Sequence, residues 1–268
     1  MNLKSLLIPA IALTTQIATA QKLPSVQKES VYAPANVKID GKPNEWNGKF
    51  QAKNDATLLT YVMSNDEENL YLTLQADHKI PLYKIFFDGI SLTIKSNKNT
   101  KLTPLKLTYP LIVRADRKNI VTPLLNKLAS NDSVATVVNT ALGQSAKTIA
   151  LRGFKDIADP DVSVYNDLGV KAAAQVDNIR LLTIEYCLPL KYIRHLSDEN
   201  SGFDYEITVI GNESLVAARA AEAANGNSAP VTISNNGGIR EVVTTGGPGP
   251  EYVNPTYLRT TYKLAKKP

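Results

Sequence analysis

In 268 residues the chain has one cysteine, one tryptophan, two histidines and two methionines. Each shortage closes a route. A lone Cys187 forms no internal disulfide, so the core must stand on packing. His78 and His195 show neither His-Glu-x-x-His spacing nor a cysteine pair beside them, which leaves no zinc motif. There is no Gly-x-Ser-x-Gly elbow for a nucleophilic serine. The glycine run from Gly246 to Gly249 lacks the Lys and Ser/Thr of a phosphate loop. Past residue 20 no stretch approaches the roughly 20 apolar residues that cross a bilayer. Basic residues exceed acidic ones, 30 to 25, and the isoelectric point is near 9.1. The cations are scattered, with no basic stripe interleaved with aromatics, which argues against a nucleic-acid partner.

What is present begins with a leader. Lys4 precedes an uncharged stretch, Ser5 to Ala20, holding Leu6, Leu7, Ile8, Ile11, Leu13 and Ile17. It closes on Ala18-Thr19-Ala20, the small-x-small pattern of a signal-peptidase site. The expectation is a cleaved signal peptide over residues 1–20 and a periplasmic or extracellular location. A linker over 21–30 and one domain over 31–268 would follow, a size ordinary for a single β-sandwich.

Periodicity places strands through most of that domain. Leu70, Leu72, Leu74 and Ala76 alternate with Tyr71, Thr73 and Gln75, the period of two of a sheet with one buried face. With Thr57 to Met63 before it and the polar turn Ser64 to Asn69 between, the pair reads as a hairpin. Lys84 to Lys95 reads as a third strand with a bulge at Asp88-Gly89. Lys106 to Arg114 reads as a fourth, pushed toward an edge by Pro110. Gly169 to Asn178 and Ile179 to Leu188 form another pair, followed by a helical turn over Leu190 to Leu196. Tyr205, Ile207 and Val209 mark a further strand, and Tyr257 to Leu264 a final one. Val134, Val137, Val138, Ala141 and Leu142 fall on one helical face, so 119–158 is expected to be a mostly helical insertion. Asn131, Asp132 and Ser133 are its candidate caps, and Gly143 its stop. Glu213 to Ala224 is a further helix candidate. Residues 225–256, rich in Gly, Asn, Pro and Ser, are expected to form a flexible loop. The fold class is therefore mainly β: an antiparallel β-sandwich with a helical insertion and a Gly-rich C-terminal loop.

Four patches carry a likeness. They are Val37-Lys38-Ile39-Asp40-Gly41 with Glu45-Trp46, Asp66-Glu67-Glu68-Asn69-Leu70-Tyr71-Leu72, Asp88-Gly89-Ile90-Ser91-Leu92-Thr93-Ile94, and Thr183 to Leu190 around Glu185. In this order the chain resembles the β-sandwiches like family-nine carbohydrate-binding modules, within the wider DOMON-like group of secreted bacterial proteins. The resemblance implies a binding scaffold in which Asp40, Gly41, Trp46, Asp88 and Glu185 belong to the structural motif. The founder type holds sugar between two tryptophans. Here Trp46 stands alone and is taken by the opening motif, so any platform falls to the loop tyrosines Tyr83, Tyr165, Tyr252 and Tyr257.

The likeness also raises calcium and haem. Asp66, Glu67 and Glu68 are the weak candidates for a calcium ion, which wants six to eight oxygens. Asp156, Asp159 and Asp161 form a second acidic cluster. Haem would need Met63 with His78 or His195. Cys187, amid Ile184, Tyr186 and Leu188, reads as a buried apolar residue. No cofactor is required by these residues, with calcium the open alternative. The sequence expectation is an exported binding module for a carbohydrate or another envelope protein. Its rivals are a carboxylate-based glycoside hydrolase and a non-catalytic assembly protein.

Overall fold

The computed structural model describes residues 22–125, 128, 130–198, 201–212, 231–234, 240–243 and 249–268. The expected leader over 1–20 and the helix candidate Glu213 to Ala224 lie outside the described residues. In chain order the first half holds β1 (Ala52–Asn54), β2 (Leu59–Asn65), β3 (Asn69–Ala76), α1 (Lys79–Asp88), β4 (Ile90–Lys95), β5 (Leu105–Tyr109), α2 (Arg117–Leu125) and α3 (Asn131–Ser145). The second half holds β6 (Thr148–Arg152), β7 (Asp161–Ser163), β8 (Lys171–Val176), β9 (Leu182–Pro189), β10 (Phe203–Val209), β11 (Val231–Ser234), β12 (Arg240–Val243), α4 (Pro250–Val253) and β13 (Thr256–Tyr262).

Two antiparallel sheets form the β-sandwich. One has the order β1-β2-β3-β9-β8, the other β13-β10-β4-β5-β6-β7. The expected hairpin is β2 against β3, with Met63 opposite Leu72. The second expected pair is β8 against β9, with Ala173 opposite Glu185. Period-two alternation turns Leu70, Leu72 and Leu74 of β3 and Ile184, Tyr186 and Leu188 of β9 into a core shared with Leu92, Leu107 and Ile207 of the other sheet. Hydroxyls stitch the layers. Tyr61 meets Tyr205 at 3.0 Å, and the Tyr186 hydroxyl donates to the Tyr109 carbonyl at 2.9 Å. α3 buries Val134, Val138 and Leu142 in the same core, while Val137 on its flank is exposed.

Several local expectations are corrected. Lys79 to Asp88 is a helix, not a strand: the His78 ring accepts the Ile80 N–H at its start, and Gly89, at φ +85°, closes it. Its buried face is Pro81, Lys84 and Ile85, spaced i, i+3, i+4. β5 is an interior strand between β4 and β6; Pro110 lies just past its end and costs the ladder nothing. Ser130 caps α3, Gly143 lies within it, and Thr148–Arg152 beyond it is a strand, so the helical region ends at Ser145 rather than 158. Of the expected loop over 225–256, residues 225–230, 235–239 and 244–248 lie outside the described residues; within the rest, Val231–Ser234 pairs antiparallel with Arg240–Val243, and Val253 of α4 is buried.

The stretch expected as a linker packs instead on β2. Gln27 receives the Met63 N–H and donates to the Met63 carbonyl, both at 2.7 Å, filling a strand's place beside it. Residues 31–50 then cross the outer face of the five-stranded sheet. Ala33, Val37 and Ile39 cover Tyr71 and Cys187, while Trp46 and Phe50 cover Val62. No described helix is long and apolar enough to cross a membrane.

Candidate functional site

Asp40, Gly41, Trp46 and Glu185, spread over 145 positions, meet under that crossing segment. Glu185 points outward from the centre of the sheet yet is 0% exposed, because the turn at Asp40-Gly41 lies on it. Its Oε2 accepts the Asp40 N–H at 3.0 Å and the Gly41 N–H at 2.8 Å. Gly41 takes φ +80°, and a Cβ there would sit 2.7 Å from the Gln175 backbone nitrogen on β8, so only glycine fits. Trp46 is 4% exposed, and its indole N–H donates to Thr73 Oγ1 at 2.9 Å. Burial pushes the Glu185 carboxyl up to about 7, with the charges of Asp40 and Glu45 adding and the two backbone bonds opposing. These groups tie the crossing segment down; Trp46 and Glu185 are buried and present no face to a ligand, while Asp40 is half-buried. Asp88 stands apart, ion-paired with Arg117 at 3.2 Å.

The acidic turn is likewise engaged with its own chain. Asp66 accepts the Glu68 and Asn69 N–H groups and the Tyr71 hydroxyl, at 2.7–2.8 Å. Glu67 accepts the Tyr32 hydroxyl and pairs with Lys267. In the second cluster Asp159 accepts the Asp161 N–H, Asp161 pairs with Arg152 at 2.9 Å, and all three aspartates are exposed. Among the described residues no three His, Cys, Asp or Glu side chains are grouped to hold a metal ion. Met63 is buried in the core, whereas His78 caps α1 and His195 lies exposed near the 3-10 turn at Leu190–Tyr192. Cys187 is buried beneath Val37 and Ile39, and desolvation pushes its thiol up to about 12.

The four tyrosines do not share one site; only Tyr83 and Tyr252 meet. Tyr83 stacks on Phe87 at 4.2 Å and meets Tyr252 edge-on at 5.5 Å, so these two rings largely satisfy each other. Tyr257, 51% exposed, lies under the Arg259 guanidinium at 4.4 Å. Tyr165 is different. It is 79% exposed and lines a cleft of about 410 Å³ with Asp40, Asn139, Lys147, Lys171 and Gln175. The walls are the edge strand β8, the C-terminal half of α3, and the turn after β7. A larger cleft of about 730 Å³, between Arg194 and the C-terminal segment at Lys263–Lys266, has no aromatic ring among its described lining residues.

Two asparagines finish the β8 edge at this cleft. The Asn139 side chain donates to the Val176 carbonyl and accepts the Val176 N–H, each at 2.8 Å, as a neighbouring strand would. At the other end the Asn166 amide donates to the Val170 carbonyl at 2.8 Å. Sequence reasoning named Tyr165 but missed this edge. The run Ala172-Ala173-Ala174 was its one local sign, since small side chains leave a strand's backbone open. No protein-family model matches the chain, and no curated protein sequence matches it.

Proposed function

We propose that the protein is an exported binding module that engages an envelope ligand, without turnover, in the cleft beside β8. The leader-like composition of residues 1–20 supports export. The observation that carries the binding site is Tyr165. Its ring is the one among the four candidates that stands open at a cleft where amide and ammonium groups converge. Ligand sites combine such an apolar surface with a few placed polar groups, in clefts of about this size. Binding is favoured over glycoside hydrolysis because hydrolysis needs two carboxyl groups flanking one bond, about 5–9.5 Å apart. Among the described residues the cleft has one, Asp40, whose Oδ1 already accepts the Lys42 N–H.

The test is incubation of the mature protein with a panel of envelope oligosaccharides and peptides, with products read by mass and the Tyr165 ring followed by NMR. The expected outcome is at least one binder that moves the Tyr165 signal, is released unchanged, and is lost in Tyr165→Ala. Turnover of any panel member, or binding that Tyr165→Ala leaves intact, would contradict the reading.

A further inference from the structure

We infer that the open stretch of β8 takes up an extended acidic peptide as an added strand. The inference rests on the reading of this cleft as the recognition site. β8 is the last strand of its sheet. Backbone groups of successive residues in a strand point alternately to the two sides. Val176 and Val170 point away from β9, since Asn139 and Asn166 bond them there, and the N–H of Asp177 donates inward to the Leu181 carbonyl. By alternation Ala172 and Ala174 also point outward, while Ala173 faces Glu185 on β9. Between the two asparagine caps, the N–H and C=O groups of Ala172 and Ala174 therefore open on the cleft. They have no partner across that edge among the described residues.

These groups explain why the ligand is a peptide. Ala172 is buried and Ala174 half-buried, with side chains too small to screen the edge, and a row of unpaired strand N–H and C=O groups is a template for pairing with another chain. Two N–H/C=O pairs two residues apart repeat at about 7 Å, the period of an extended chain. A peptide strand satisfies both pairs at once, as in recognition by strand addition. The caps limit that pairing to about three residues. Charge sets the composition. Lys147 and Lys171 are exposed at the cleft, against the single Asp40, so carboxylate side chains on the incoming strand find two cations. Tyr165 offers its ring to an apolar residue of the same peptide.

The test titrates ¹⁵N-labelled mature protein with synthetic hexapeptides that alternate Val or Thr with Glu. The same peptides with Lys for Glu, and envelope oligosaccharides, serve as the other arms. The Glu peptides should shift the Ala172 and Ala174 amides most, and the Lys peptides should not bind. Ala174→Pro removes one outward N–H at a place where an edge strand tolerates proline, and should weaken the Glu peptides about tenfold. Should that variant not fold, Lys147→Glu with Lys171→Glu changes exposed side chains only; it should abolish Glu-peptide binding and admit the Lys peptides. Glu peptides that leave both amides unmoved, or bind either variant as well as the parent, would overturn the inference. An oligosaccharide that needs Tyr165 but is indifferent to Ala174→Pro would overturn the peptide and leave the cleft standing. Absence of any ligand effect at Tyr165 would remove both.

Discussion

Glu185 Oε2 accepts the Gly41 N–H at 2.8 Å, fastening a turn near the start of the domain to an interior strand 144 positions later. The carboxyl is fully buried, and its proton is held up to about pH 7 against an ordinary value of 4.5. Between those values the folded state binds more protons than the unfolded chain, so stability falls as pH rises through this window. The effect is about 3 kcal/mol, present in full below the lower value and lost above about 7. Glu185→Gln keeps an acceptor for Gly41 and removes the titration. Urea unfolding from pH 4.5 to 8 should show the parent losing stability relative to this variant as pH rises. Parallel profiles would contradict the assignment of a raised carboxyl.

Trp46 closes the other end of the same segment. Its ring is packed with Phe50 and Val62, and its N–H is satisfied by Thr73. Removing a buried tryptophan costs about 3–5 kcal/mol, a large share of the 5–15 kcal/mol typical of a domain. Trp46→Ala should lower the urea midpoint steeply when followed by far-UV circular dichroism, while any ligand of the folded fraction binds with unchanged affinity. A stable variant with lost binding would make the indole a ligand platform instead.

The strands with clean alternation were legible in the sequence. Leu70, Leu72 and Leu74 gave the hairpin, and Tyr205, Ile207 and Val209 gave β10. α1 was not, because Lys84-Ile85-Phe86-Phe87 is a short apolar run whose period is ambiguous, and its helical face includes a lysine. Lys84 is buried there with its Nζ on Thr256 Oγ1, a partner 172 residues distant that no local pattern announces. Asp40, Gly41, Trp46, Asp88 and Glu185 are named together from the motif; Asp88 pairs elsewhere with Arg117, and the contact of the other four spans sheet and segment and appears only in the fold. The cleft was less legible still. Tyr165 stood out as a loop aromatic, whereas Asn139 gains its role by lying beside Val176.

The most direct measurement is residue-by-residue amide NMR of the protein during titration with the peptide and oligosaccharide panels together. The account predicts shifts centred on Tyr165, Asn139, Ala172 and Ala174, with the panel recovered chemically intact. Shifts centred on Tyr83 and Tyr252, or chemical conversion of a panel member, would contradict it.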